Sequence, residues 1–246
     1  MPIMKWNDIF CNTFKSLRSQ IGSEVKKQVN LMLPSMPMVE ACRTNDLDSF
    51  QPFIAAGKLS VEDMRQACDR YYLGKTKTGA PIFWMIDDLH RPLDAHIDTT
   101  WISTLLKHRE PLIKSWHVEH CLFGLHLLAH AESPISIVES ESSAIVLSAL
   151  FPESIWMAYA TTSHLSPDLF SPLEGHIVTI YPNTDPPLST YLFFQDLVTL
   201  TQQQYDLDIT ISPLLEDNAT PTQKERNIDL LDYLKESLNA PAEKSS

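Results

Sequence analysis

Two short β-rich runs in this 246-residue chain end in side chains able to serve one hard cation or one phosphate. Pro134-Ile-Ser-Ile-Val-Glu139 stops at a carboxylate, and His176-Ile-Val-Thr-Ile-Tyr-Pro-Asn183-Thr-Asp185 stops at an amide and a second carboxylate. The residues between them leave room for a helix, a strand and a second helix, so the two runs fit as neighbouring strands of one open sheet. Side chains at the carboxyl ends of such strands converge on a single crevice. Glu139 and Asp185 are therefore expected within reach of one ligand.

The surrounding pattern supplies the elements that such a crevice needs. From Trp116 onwards strands and helices alternate: a helix over Cys121–Ala131, a strand at 134–138, a helix at 141–151 and a strand at Ile155–Ala160. A short helix at Leu165–Phe170, a strand at 176–181 and a longer helix at Ser189–Tyr205 follow. A strand at Asp208–Ser212 and a helix at Thr222–Leu238 complete the run. This rhythm predicts an α/β domain over 116–238 with a mostly parallel sheet and helices on both faces. The tail 239–246 is expected to be disordered.

The front of the chain reads differently. Residues 5–33 place Trp6, Phe10, Phe14, Leu17, Ile21, Val25 and Val29 at helical spacing, and Met32–Pro37 reads as a linker. Residues 1–47 thus form an N-terminal helical segment with its linker. Helices are expected over Leu47–Ala56 and after Ser60, an N-cap with Asp63 three residues on. Tyr71–Asp87 then carries two β-rich arms around a Lys-Thr-Gly turn, a hairpin signal. Helix and hairpin make 48–115 a small α+β module. Gly74-Lys75-Thr76 inside it is no phosphate-binding P-loop, because the glycine required five residues earlier is Asp69. The aromatic and basic residues of the hairpin (Tyr71, Tyr72, Lys75, Lys77, Phe83, Trp84) suit either a single-strand stacking surface or a small packed core. Alternation, which puts Phe83 and Trp84 on opposite faces, favours the core.

Composition narrows the partners. Residues 1–114 hold 15 Lys and Arg against 13 Asp and Glu, whereas residues 115–246 hold 4 against 18. Duplex binding gains most of its affinity by neutralising phosphates, so any grip on nucleic acid must come from residues 1–114 or from a protein partner. No apolar run reaches the length of a membrane span, and the first residues lack the apolar region of a secretory signal. Four scattered cysteines without a C-x-x-C pair read as reduced thiols, which places the chain in the cytoplasm. A histidine run (His117, His120, His126, His130, with Cys121) offers His126 and His130 at helical spacing as zinc ligands. Its apolar neighbours, and the lack of a glutamate after His126, favour core histidines over zinc.

The same residues carry a resemblance. Ile-Val-Glu139-Ser-Glu-Ser-Ser-Ala-Ile followed by Ile-Tyr-Pro-Asn183-Thr-Asp185 resembles the Toprim domain, a Rossmann-like fold, of bacterial primases and topoisomerases. Residues 48–238 resemble an uncharacterised, primase-related Toprim-like family of Bacteroidota. The shared landmarks are Tyr72-Leu-Gly-Lys-Thr, Ile82-Phe-Trp-Met-Ile-Asp87, Cys121–Leu128, Ile137-Val-Glu-Ser140 and Ile228–Leu234. The resemblance implies nucleic-acid metabolism of a mobile element, with primase-like chemistry as the ancestral role. It gives Glu139 a general acid or base role and makes Asp185 and the position of Asn183 the ligands of Mg²⁺.

Three departures from the family pattern stand out. An amide at 183 removes one charge from the cation site, Ser142 replaces a lysine, and Ala160-Thr161 replaces a pair of glycines. Three functions follow as expectations. One is Mg²⁺-dependent nucleotidyl or phosphoryl transfer in a primase-like enzyme, in full or degenerate form. Another is a non-catalytic module that binds protein or DNA. The third is a zinc protein built on the 117–130 histidine run.

Overall fold

The computed structural model describes residues 34–55, 57–98, 100–104, 119–130 and 133–239. The expected helix over 5–33, His117 and residues 240–246 lie outside these. The chain divides into two compact units, Met1–His130 and Ala131–Ser246. No described helix is long and apolar enough to cross a membrane.

In the first unit, helix α1 (Met36–Cys42) begins inside the stretch expected to be linker. Pro37 sits in its first turn, where a missing N–H costs nothing, and Met38, Val39 and Cys42 are buried. A 3₁₀ turn at Asp48–Phe50 leads into α2 (Gln51–Ala55). Helix α3 (Val61–Arg70) opens on the expected cap: Ser60 and Asp63 form a reciprocal capping box. Four antiparallel strands follow in sequence order, β1 (Gly74–Lys75), β2 (Pro81–Ile86), β3 (Pro92–Ile97) and β4 (Thr100–Trp101). The hairpin is thus present, although its first arm is two residues long, and β3 and β4 were not foreseen.

Alternation along β2 works as expected. Ile82, Trp84 and Ile86 join Met38, Val39 and Cys42 in one core, while Phe83 meets the ring of Phe123 edge-on at 5.8 Å. Gly74 owes its place to this packing and not to a phosphate. A Cβ there would lie 2.9 Å from the Trp84 indole nitrogen and 3.1 Å from Ile82. The expected α-helix at Cys121–Ala131 is instead a 3₁₀ helix at Leu125–His130. Gly124 turns the chain with φ +87° just before it. Phe123 stacks on Tyr71 at 5.2 Å, so this segment belongs to the first unit, and the division falls after His130 rather than at 116.

The second unit is an α/β layer. Strands β5 (Ile135–Val138), β6 (Ile155–Ala158), β7 (Ile177–Ile180) and β8 (Asp208–Ile211) pair parallel in the order β6-β5-β7-β8, flanked by helices. β5 and β6 are buried throughout; β6 reads as an unbroken apolar run, and Ser136 alone interrupts β5. Helix α4 (Glu141–Leu150) follows β5, and α5 (Ser189–Gln204) connects β7 to β8. Between β6 and β7, the short helix expected at Leu165–Phe170 is a 3₁₀ helix over Pro167–Leu173.

The last expected helix is broken. In place of one helix over Thr222–Leu238 the chain forms α7 (Pro221–Glu225) and α8 (Leu230–Asn239), and a short helix that was not foreseen, α6 (Leu214–Asn218), precedes them. Asn227, at φ +51°, turns the backbone between the last two. Asn is one of the few side chains that tolerate this left-handed conformation.

Candidate functional site

The chain leaves β5 for β6 on one side and later returns to β7 on the other. The strand order therefore reverses between β5 and β7, the position where open α/β sheets bind ligands. Glu139 follows β5 directly, and Asn183 lies three residues beyond β7. Register brings them together: β5 and β7 pair through Ile137 and Ile180, and Tyr181 N–H donates to the Ile137 carbonyl at 2.8 Å. The Asn183 amide nitrogen then donates to Glu139 Oε2. An ionised carboxylate can only accept, so the amide must present its N–H side.

Asp185, the other expected ligand, is hydrogen-bonded to the start of a helix. Its two oxygens accept the backbone N–H groups of Ser189 and Thr190, each at 3.2 Å, and the Ser189 hydroxyl also donates to it. These are unpaired donors of the first turn of α5, and a carboxylate there also meets the positive end of the helix dipole. The structure thus brings Glu139 and Asn183 into contact and commits Asp185 to the start of a helix. Among the described residues, no three His, Cys, Asp or Glu side chains gather in an arrangement able to hold a metal ion.

A carboxylate not singled out in the sequence completes the crevice. Asp229 sits in the break before α8, accepting from Asp232 N–H at 2.7 Å and from the Ser143 hydroxyl of α4. The Ile228 carbonyl beside it accepts Thr184 N–H at 3.2 Å, which ties the break to the segment after β7. Reading 222–238 as one helix concealed Asp229. The available signal was Asn227-Ile-Asp229, a left-handed-tolerant residue followed by a helix-capping one.

Burial sets the electrostatics. It raises the pKa of Glu139, and the negative charges of Asp229 and Glu141 add to the rise; the Asn183 hydrogen bond opposes it. Burial likewise raises Asp229, against hydrogen bonds from Ser143 and Asp232. Tyr159, just past β6, is pushed well above the usual phenol value by burial and then by these two carboxylates. Its hydroxyl has no hydrogen-bond partner, nor do Asn183 Oδ1 and Thr184 Oγ1. Buried polar atoms without a partner are uncommon in folded proteins. Ala160, just past β6, has φ +58°, a conformation that costs a residue with a side chain.

A model of the family described as "Domain of unknown function (DUF6371)" matches residues 48–184, more than half of the chain. The chain belongs to the DUF6371 family. The DUF6371 stretch takes in Glu139, Tyr159, Asn183 and Thr184 and ends before Asp185 and Asp229. No curated protein and no solved structure matches the chain.

The histidine run lies in the other unit. His126 is buried, with Nε2 3.0 Å from the Arg70 carbonyl and the rings of Tyr71, Tyr72 and His90 around it. Burial lowers its pKa to about 4. His120 packs edge-on against Trp101. His126 and His130 lie in a 3₁₀ helix and not in the α-helix on which their spacing was read.

Proposed function

We propose that the second unit is a Toprim-like domain of primase ancestry, from the nucleic-acid metabolism of a mobile element, that no longer holds Mg²⁺ tightly and works as a binding module. The parallel order β6-β5-β7-β8, with Glu139 and Asn183 at its switch point, supports the ancestry. One observation carries the loss of the cation: the Asn183 amide turns its N–H toward Glu139, where two anions would otherwise face a metal. Mg²⁺ requires hard anionic oxygens in near-octahedral array, and Asp185 has both of its oxygens engaged at the start of α5. The donor set present does not fit a tightly bound Mg²⁺.

The partner class we favour is protein. Of the cations in the first unit, Arg43, Arg65, Lys75 and Arg91 each pair with a neighbouring acid, which leaves less charge for phosphates.

Calorimetric titration of Mg²⁺ and Mn²⁺ tests the reading. The wild type is expected to show no binding at millimolar concentration, and Asn183→Asp to restore it. Millimolar or tighter binding by the wild type, weakened in Glu139→Gln, would show a working cation site and return the chain to the enzymes.

A further inference from the structure

Helix α5 buries one face and exposes the other. Phe194, Leu197, Val198 and Thr201 face the core, and the helix packs on β8 and on the 3₁₀ segment Pro167–Leu173. On the opposite face Leu192 and Leu200 are 52% and 49% exposed, Phe193 is 40% exposed, and Leu188 at the helix start is 40% exposed. At 100° per residue these four fall within one arc, spread over about 18 Å of helix. Leu188 adds a sign of purpose. Its φ is +59°, a conformation that a glycine or asparagine adopts at lower cost, yet a large apolar side chain is held there in water.

The charge around this face has one sign. From residue 115 to residue 223 the sequence contains no Lys or Arg. Asp196 lies within the exposed arc, and Asp206 and Asp208 follow the helix on exposed backbone. Asp168 adds a third carboxylate at that end, bonded by the Tyr205 hydroxyl at 2.6 Å. The carboxyl end of a helix carries partial negative charge and ordinarily attracts Lys or Arg, but the last turn of α5 has none.

We propose that the exposed face of α5 docks an amphipathic, basic helix of a protein partner. Its apolar residues would cover Leu188, Leu192, Phe193 and Leu200, and its Lys or Arg residues would lie against Asp196, Asp206 and Asp208. Charge decides among the possible occupants. A second copy would set two cation-free faces against each other, and nucleic acid or an anionic lipid surface would find no cation on this face. The proposal deepens the binding-module reading but rests on different residues, so metal titration in the crevice and peptide binding at α5 can fail separately.

The test uses the full chain and synthetic 18-residue helical peptides with leucines on one face. One peptide carries lysines beside the leucines, a second carries glutamates, and a third has the lysine peptide's composition scrambled to remove the apolar face. Fluorescence anisotropy is expected to show binding of the lysine peptide alone. Leu192→Ser/Leu200→Ser should weaken it by roughly tenfold or more without changing the melting temperature by circular dichroism. Asp196→Asn should weaken it less and flatten its salt dependence. Equal binding of the scrambled peptide, or an unchanged affinity in the double variant, would reduce the effect to bulk charge and overturn the proposal. Absence of binding would overturn it too, as would a dimer in sedimentation that the double variant dissociates, which would make a second copy the occupant.

Discussion

Both units bury carboxylates, but the crevice of the second sets like charge beside Glu139, whereas Asp87 and Asp94 of the first are held by hydrogen-bond donors. In the first unit Asp87 accepts from Leu89 N–H, Arg91 N–H and the Arg91 guanidinium at 2.6–3.1 Å. Asp94 accepts from Ala95 N–H, Ser103 N–H and the Ser103 hydroxyl at 2.5–3.0 Å. Each of these aspartates holds a turn or a strand connection in place. In the second unit Glu139 and Asp229 face each other's charge, and beside them Tyr159, Asn183 and Thr184 keep polar atoms without partners. A carboxylate held only by hydrogen-bond donors is part of the scaffold, whereas Glu139 meets the like charge of Asp229 and Glu141 as well as its one amide donor.

This contrast can be broken by substitution. Asp94→Ala should have the largest effect, a loss of about 3 kcal/mol in urea unfolding, because it strands two N–H groups and a hydroxyl in a buried place. A loss below ~1 kcal/mol would remove Asp94 from the scaffold class. Asp185→Ala should cost about 1 kcal/mol, the value of a helix cap, with the loss read from the same urea midpoints. If Asp185→Ala leaves stability unchanged, Asp185 belongs with the crevice and not with α5.

The smallest effect has the opposite sign. Burial and the Asp229 charge raise the Glu139 pKa in the folded state above its ordinary 4.5. The folded chain therefore binds this proton more tightly than the unfolded chain, and stability falls as pH rises between the two values. At neutral pH Glu139→Gln should be more stable than the wild type. Partial exposure screens the gain to under about 1 kcal/mol, or ~2 °C in melting temperature for a chain of this size. The gap should close as the pH approaches 4.5. A glutamine variant that melts lower than the wild type at pH 7 would show that Glu139 is scaffold after all.

Much of the architecture was legible in the residues. Strands β5, β6 and β7 stood out as short β-rich runs between turn residues, and the side-by-side placement of the 135 and 177 runs followed from their connections. Ser60 with Asp63 announced α3 because a capping box is a local bond between near neighbours. Strand β3 was less legible. Its Asp94 looks foreign to a buried strand until Ser103, nine residues later, supplies the hydrogen bonds. The Cys121 segment misled for a related reason: its apolar pattern suited an α-helix, and packing of Phe123 on Tyr71 selected another form.

The sequence by itself determined which side chains end the strands, Glu139, Asn183 and Asp185, because period and punctuation are local properties of the chain. Only the tertiary structure decided what each one does. For Glu139 and Asp229 the groups that decide come from residues far apart in sequence, whereas the donors to Asp185 lie only four and five residues on. Asp185 found its donors in the start of α5, Glu139 found an amide 44 residues away, and Asp229 came from the break before α8 to stand beside it.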